Sequence, residues 1–227
     1  MSRLVIAVDG PAGAGKGSVC RAVAHHFGFD YLDTGTLYRA VALLMLERNW
    51  PEEESLLAEA ASHLDFRFES RNADEFRAFL EGRDVSDNLR EERVGEAASR
   101  VAAMPAVRQA LLTFQRHYGG ERDLILDGRD VGTVVFPEAP LKVFLTASLE
   151  ARAERRALEL QERGETASLS GVYARMAARD ARDSGRSHAP LLPAADAVVV
   201  DTTLLTREQS ILQVVKLVQA LRHETGR

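Results

Sequence analysis

The chain has 227 residues, of which 45% are hydrophobic, and a formal net charge of −5 at pH 7. This composition suits one globular unit over 1–227, and the negative charge argues against a nucleic-acid-binding surface. The apolar runs are too short for a signal peptide or a membrane span, and the single cysteine, Cys20, excludes an internal disulfide. We therefore expect a monomeric, cytoplasmic protein without nucleic-acid or membrane partners, in which Cys20 is a small buried side chain.

The N-terminal part of the chain alternates between patterns typical of buried strands and of amphipathic helices. Its predicted elements are, in order, a strand at 3–9, a helix at 15–27, a strand at 29–33, and helices at 34–49 and 51–64. Gly28 is placed to cap the first helix in a left-handed conformation, and Trp50-Pro51 ends the second. The first strand is an unbroken apolar run, so we expect it to be buried on both faces.

The pattern changes over 65–88, where apolar and polar residues alternate as they do in half-buried antiparallel strands. The predicted elements here are strands at 65–69 and 77–80, a turn at 81–84 with a third short strand after it, and helices at 90–104 and 106–118 separated by Pro105. We therefore expect a small antiparallel insert within the chain.

The strand–helix alternation returns after residue 120. The predicted elements are strands at 124–126 and 141–145, helices at 149–163 and 170–182, a strand at 197–201, and a final helix that begins with the capping box Thr206…Gln209. Five core strands separated by helices predict an α/β fold with an open, doubly wound parallel sheet.

A glycine-rich loop stands between the first predicted strand and the first predicted helix. Its glycines allow successive backbone N–H groups to surround a triphosphate, and the helix N-terminus adds its positive dipole end. Lys16 supplies a mobile charge for the β- and γ-phosphates. The loop predicts ATP or another nucleoside triphosphate with Mg²⁺, bound through Gly10, Pro11, Ala12, Gly13, Ala14, Gly15, Lys16, Gly17 and Ser18.

The loop has one departure from the general P-loop pattern, because Gly17 stands where Ser or Thr usually follows the lysine. This Gly-Lys-Gly-Ser order is similar to that of nucleoside monophosphate kinases. P-loops also occur in GTPase switches and transport motors, but the chain contains neither an Asn-Lys-x-Asp guanine motif nor a Leu-Ser-Gly-Gly-Gln signature. These absences favour a kinase.

Several arginines fall where a phosphate acceptor would bind. Arg39 lies one turn into the helix after the second strand, and Arg129 follows another strand. Arg179, Arg182 and Asp183 share one helix face. Ligands of open α/β sheets bind at the carboxyl ends of strands, so we expect these guanidinium groups to neutralise the phosphates of a phosphoryl transfer in one cleft.

Three blocks, Tyr31–Arg39, Asp127–Pro137 and Arg179–Ser187, resemble bacterial cytidylate kinases in order and spacing. The resemblance runs from Ile6 to Thr203. Thr34 stands where many relatives carry serine, which keeps the hydroxyl. The family transfers the γ-phosphoryl group of ATP to CMP or dCMP, and the resemblance implies a P-loop NTPase core at 1–60 and 121–227, a monophosphate-binding insertion at 61–120, and a short helical lid at 155–186.

The resemblance also implies residue roles. The acceptor nucleotide would be held by Thr34, Arg39, Ser99, Arg108, Arg129, Asp130, Arg179, Asp183 and Arg186. Lys16, Arg129 and Arg182 would act in catalysis, and Arg155 would bind ATP. Mg²⁺ would be held by Ser18 and, through water, by Asp127. A carboxylate at Asp130 and a guanidinium at Arg108 match the donor and the acceptors of the cytosine edge.

Alternatives stay open at this point. The residues also fit a kinase of adenylate, uridylate or shikimate, or a P-loop regulatory switch. The structural alternatives for single residues are a surface ion pair for Arg39, a mutual pair between Arg129 and Asp130, a helix cap at Asp127, a solvated helix end for 179–186, and surface positions for Arg155 and Arg156.

Overall fold

The computed structural model describes residues 3–70, 76–164 and 166–226. Its strands are, in chain order, β1 (Val5–Asp9), β2 (Asp30–Asp33), β3 (Phe66–Ser70), β4 (Phe76–Leu80), β5 (Arg83–Asp84), β6 (Leu124–Gly128), β7 (Leu141–Thr146) and β8 (Val198–Asp201). Its helices are α1 (Lys16–Phe27), α2 (Thr34–Glu47), α3 (Glu54–Ser62), α4 (Glu92–Val101), α5 (Pro105–His117), α6 (Leu149–Glu162), α7 (Leu169–Ser184) and α8 (Arg207–Glu224).

The central sheet has five parallel strands in the order β2-β6-β1-β7-β8. This confirms the predicted α/β class. The middle strand, β1, is buried along its whole length, as its unbroken apolar run predicts. Because side chains alternate across a strand, Val5 and Ala7 pack into a core with α2 to α5, whereas Ile6 and Val8 pack with α1 and α8. Helices therefore cover both faces of the sheet.

The second helix, α2, is buried on more than the one face that its periodicity predicts. Besides Leu37 and Val41, the side chains of Ala40, Ala42 and Leu43 are fully buried. The reason is that α2 packs against β6 on one side and against α3 and α4 on the other. A helix between two layers is apolar around most of its circumference.

The antiparallel insert is present as a second sheet, β3-β4-β5. Phe66 pairs with Leu80. The third strand, β5, pairs Phe79 with Asp84 and lies within residues 81–84, for which the sequence predicts a turn, rather than after them. The side chain of Leu80 is fully buried in the core shared with α2. The insert is therefore attached to the main domain by hydrophobic packing.

Several element boundaries differ from the sequence prediction. The helix expected at 51–64 begins only at Glu54, and Pro105 is the first residue of α5, where its missing N–H costs nothing. Residues 131–135 form a single wide helical turn that no periodicity predicted. Cys20 is fully buried, as expected. Within the described ranges, no helix is long and apolar enough to cross a membrane.

Candidate active site

A cleft of about 530 Å³ opens at the carboxyl ends of β1, β2 and β6. This is the position expected for a ligand site of an open α/β sheet. Its walls are formed by the loop at 12–18, by Asp33 and Asp127 from the strand ends, and by arginines from α2, α6 and α7. The cleft therefore combines the predicted triphosphate loop with many of the predicted cationic residues.

The glycine-rich loop has the backbone geometry that its sequence predicts. Gly10 has a φ of +149°, and an added Cβ there would overlap the carbonyl oxygen of Leu145. Gly15 has a φ of +90° and directly precedes α1. Lys16 is buried, and its Nζ donates to the carbonyl oxygens of Gly10, at 2.8 Å, and Pro11, at 2.9 Å. The side chain of Lys16 thus folds back and bonds to the backbone at the start of the loop.

The ammonium of Lys16 lies among both like and opposite charges. Burial, and then the neighbouring charge of Arg129, lower the pKa of its ammonium, whereas Asp127 opposes the shift. Burial and the adjacent carboxylate of Asp33 raise the pKa of Asp127. A phosphate beside Lys16 and a cation beside Asp127 would each relieve an unfavourable interaction.

Ser18 and Asp127, the residues predicted for magnesium, both line the cleft. Asp127 lies near the carboxyl end of β6, and Tyr31 donates a hydrogen bond of 2.8 Å to its Oδ1. The described residues contain no cluster of three or more metal ligands. A hydroxyl and one or two carboxylates nevertheless fit Mg²⁺, which keeps several waters and shares its ligands with substrate phosphates.

A second, smaller pocket of about 40 Å³ lies beside the cleft. It is lined by predicted acceptor residues from four helices and from the segments that follow β6 and α7, namely Thr34, Ser99, Arg108, Arg129, Asp130, Arg179, Asp183 and Arg186. Its volume is roughly that of one or two water molecules, so a bound nucleotide requires these side chains to separate. Thr34 donates to the carbonyl oxygen of Asp127 at 2.9 Å and so belongs to the wall between the two pockets.

The charged residues of the small pocket are paired across long stretches of sequence. Arg129 Nε donates to Asp183 at 2.8 Å, and Arg186 pairs with the other oxygen of Asp183. Burial raises the pKa of the Asp183 carboxyl, but the charges of Arg129 and Arg186 more than offset this and lower it. Asp130 pairs instead with Arg108. The alternative of a mutual pair between Arg129 and Asp130 is therefore wrong, because their side chains diverge after β6.

Arg39 occupies the cleft rather than an exposed surface. Its Nη1 donates to the carbonyl oxygen of Leu89 at 2.6 Å. Gly95 on α4 lies flat against the guanidinium, since an added Cβ would be 3.0 Å from Nη2. The Arg39 side chain is therefore held by residues of the insertion, although Arg39 itself lies on α2, which begins directly after β2.

Arg179 and Arg182 extend from α7 toward the same space. Arg179 lines both pockets, and among the described residues its Nε has no hydrogen-bond partner. Burial and the charges of Arg129 and Arg39 lower the pKa of Arg179 to about 9, and the charge of Asp183 opposes the shift. Arg182 lines the cleft, and its Nε donates to Ser99 at 3.3 Å.

Arg155 lines the cleft as predicted for an ATP contact, and it donates to the carbonyl oxygen of Thr202 at 2.5 Å. Sequence reasoning missed Glu92, whose carboxylate lies 2.8 Å from Arg156 and 3.4 Å from Arg175. This residue joins α4 to α6 and α7. No sequence signal could have found it, because its partners are more than sixty residues away.

Sequence reasoning also missed Arg152, a buried residue of α6. It donates to the carbonyl oxygen of Ala12 in the glycine-rich loop at 3.1 Å, and it pairs with Asp180 at 2.6 Å. Arg152 is three residues before Arg155 and four before Arg156, so the three arginines share one helix face. This spacing is a sequence signal that could have pointed to Arg152.

A P-loop after the middle strand of a parallel sheet, next to a second pocket rich in arginine, defines a P-loop kinase whose acceptor carries a phosphate. A family model described as cytidylate kinase matches residues 6–220. The chain is 59% identical to a cytidylate kinase of Magnetococcus marinus over 96% of this chain and 97% of the relative. It is 48% identical to one of Yersinia pestis over 96% and 94%. The chain belongs to the cytidylate kinase family.

Among solved structures, an uncharacterized protein from Eubacterium ventriosum aligns over 96% of this chain and 99% of its own, with a TM-score of 0.50 and 11% identity. At this identity the likeness concerns the fold alone. The family match, which covers nearly the whole chain, does not favour the regulatory switch or the kinases of other acceptors that the loop by itself left open.

Proposed function

We propose that this member of the cytidylate kinase family transfers the γ-phosphoryl group of ATP to CMP or dCMP, giving ADP and CDP or dCDP. The observation that carries the proposal is the adjacency of the two pockets. Arg129 and Arg179 line both of them, so cations are available on both sides of the position where a phosphoryl group would pass. Positioning and charge neutralisation are what this transfer requires.

On the donor side, the loop at 10–18 holds the ATP phosphates with its backbone N–H groups. Lys16 contacts the transferring phosphate, and Arg155 and Arg182 complete the cationic wall. Ser18 and, through water, Asp127 would hold Mg²⁺, which would supply neutralisation of the charge on the phosphate oxygens. The burial of Lys16 and Asp127 in the cleft, which lowers the pKa of the lysine and raises that of the carboxyl, supports this assignment.

On the acceptor side, Arg39 and Arg129 bind the phosphate of CMP, with Arg179 and Arg186 beside them. Asp183 and Arg179 hold the sugar hydroxyls. Asp130, Arg108 and Ser99 read the base. No general base is needed, because the acceptor phosphate is already an anion.

The predicted lid at 155–186 closes on the insertion at 61–120 and excludes water, which suppresses ATP hydrolysis. Support comes from the ion pairs of Glu92 with Arg156 and Arg175, which connect these segments. The core at 1–60 and 121–227, the cytoplasmic location and the monomeric state stay predictions of the sequence.

The proposal is tested by measuring ADP release with a panel of acceptors: CMP, dCMP, UMP, AMP and shikimate. We expect CMP and dCMP to stimulate release far more than the others. A preference for UMP, AMP or shikimate would replace the acceptor assignment. Slow turnover that no acceptor stimulates would instead indicate a regulatory switch.

The arginines assigned to the acceptor phosphate give a first prediction. A guanidinium offers a planar pair of donors to phosphate oxygens, which lysine cannot reproduce. We expect Arg39→Lys and Arg129→Lys each to lower kcat/KM for CMP by about tenfold or more, the scale of a charged hydrogen bond, with ATP affinity nearly unchanged. The measurements are steady-state kinetics and equilibrium ATP binding.

The matched control is Arg100→Lys, because Arg100 pairs with Glu52 on the exposed side of α4. Arg100→Lys should leave both kcat/KM for CMP and the affinity for ATP unchanged. If ATP affinity falls as much as the use of CMP in the two site variants, their assignment to the acceptor is wrong.

The sugar contact gives a second prediction. The family accepts both CMP and dCMP, so the 3′-hydroxyl is the main target of Asp183, and CMP keeps a further hydroxyl that dCMP lacks. We expect Asp183→Ala to raise KM for dCMP more than KM for CMP, by several-fold, about the effect of one hydrogen bond. The measurement is the ratio of the two KM values.

Asp180→Ala is the control on the same helix, because Asp180 pairs with Arg152 and does not line the small pocket. The KM ratio should stay at its wild-type value in this variant. If Asp183→Ala raises KM for CMP and KM for dCMP by the same factor, the sugar contact is contradicted. Asp183 would then serve only as the ion-pair partner of Arg129 and Arg186.

A further inference from the structure

Asp9, the last residue of β1, makes two buried hydrogen bonds that the proposed mechanism does not use. Its Oδ1 accepts from the backbone N–H of Val131, and its Oδ2 accepts from that of Gly132, both at 2.7 Å. The side chain is only 4% exposed. One carboxylate thus satisfies the first two N–H groups of the helical turn at 131–135, which have no partner within the turn.

The segment that Asp9 holds follows directly on two assigned acceptor residues, Arg129 and Asp130. In the sheet, Asp9 is the register partner of Gly128, so the connection from β6 to the turn starts beside it. Gly128 itself has no room for a side chain, since a Cβ would lie 2.5 Å from Thr34 Oγ1. The backbone before Arg129 is therefore restricted by packing at Gly128, and the backbone after Asp130 is held by the bonds to Asp9.

The same residue also borders the donor loop, because Gly10 follows it in the chain. The aliphatic side chain of Lys142 also packs against this turn, since its carbons would lie 3.2 Å from a Cβ on Gly132. Burial, the largest cause, raises the pKa of Asp9 to about 6, and the two backbone hydrogen bonds oppose the shift. An apolar residue would avoid this cost, so the carboxylate needs a reason beyond filling space.

We propose that Asp9 is a positioning residue for the acceptor nucleotide, because its carboxylate holds the backbone of Val131 and Gly132 and thereby directs Arg129 and Asp130 into the small pocket. Asp9 itself does not touch either substrate in this assignment. The inference rests on the proposed function. It adds a link between the end of the donor-loop strand and the segment that recognises the acceptor.

The test replaces Asp9 by asparagine. An amide can accept only one of the two bonds, and its NH₂ group would face the other N–H donor to donor. We expect Asp9→Asn to raise KM for CMP by about tenfold or more, the scale of a lost hydrogen bond to a charged group. The preference for CMP over UMP should narrow as well, while KM for ATP stays unchanged.

Asp123→Asn is the matched control. Asp123 accepts from the backbone N–H of Leu4 at 2.6 Å and so joins β1 to β6 through the same kind of bond, but at the opposite end of the strands from the site. A purely structural contribution of such bonds would lower the melting temperature of both variants. Only Asp9→Asn should change KM for CMP and the choice of base.

Should Asp9→Asn not fold, Asp9→Ala probes the same contact, because it removes both acceptor oxygens from the N–H groups of Val131 and Gly132 without adding a donor. The same selective rise of KM for CMP is expected. Unchanged kinetics, or KM values for CMP and ATP that rise together, would overturn the inference in either variant. Failure of the wild-type protein to use CMP would refute the proposed function instead.

Discussion

Lys16→Ala is expected to lower turnover by at least ~10³-fold, the effect of removing one charge-stabilising donor from an active site. Turnover should fall more than ATP affinity, because Lys16 is proposed to contact the phosphate whose charge rearranges in the transition state. The structure adds a reason: Lys16 is buried beside the charge of Arg129, and both effects lower the pKa of its ammonium. The measurements are kcat at saturating ATP and CMP, and equilibrium ATP binding.

The control is Lys216→Ala, because Lys216 is exposed on α8 and lies outside both pockets. A thermal melt of Lys16→Ala establishes that the protein is folded, since the loop loses two hydrogen bonds to Gly10 and Pro11. Near-normal turnover in a folded Lys16→Ala protein would refute the assignment of the loop to phosphoryl transfer.

The second large expected effect concerns the preference for CMP over UMP. In the proposed assignment, cytosine would offer a 4-amino donor to Asp130 and two acceptors to Arg108, whereas uracil would present O4 to the carboxylate and N3–H to the guanidinium. Such mismatched buried groups can cost ~10⁴-fold in specificity. We therefore expect a strong preference for CMP over UMP, and expect Asp130→Ala to narrow the ratio of their kcat/KM values by ~10²-fold or more.

Asp130→Asn makes the test sharper, because an amide can rotate to donate to O4 of uracil or to accept from the amino group of cytosine. Both variants remove the charge opposite Arg108, so a loss that comes only from the broken ion pair would lower the use of CMP and UMP equally. An unchanged ratio in both variants would show that Asp130 supports Arg108 and does not read the base.

Features formed by neighbouring residues could be predicted. The P-loop is one continuous segment, and its glycines, its lysine and the helix start follow each other in the chain, so their chemistry determines their geometry. The parallel sheet, the antiparallel insert and the capping box at Thr206 follow in the same way from local periodicity and turn residues. The turn at 131–135 escaped prediction because its first bonds come from Asp9, more than a hundred residues away.

The pairing of charges in the site was decided only by the tertiary structure. The sequence by itself determined that Arg129, Asp130 and Asp183 belong to a phosphate-binding kinase, through their motifs. The only ion pair that it offered for Asp130 was the alternative of a pair with the adjacent Arg129, yet the structure pairs Asp130 with Arg108 and Arg129 with Asp183. The reason is that neighbouring residues at a strand end point in different directions, so the order of the strands and the packing of α5 and α7 select which distant side chains they meet.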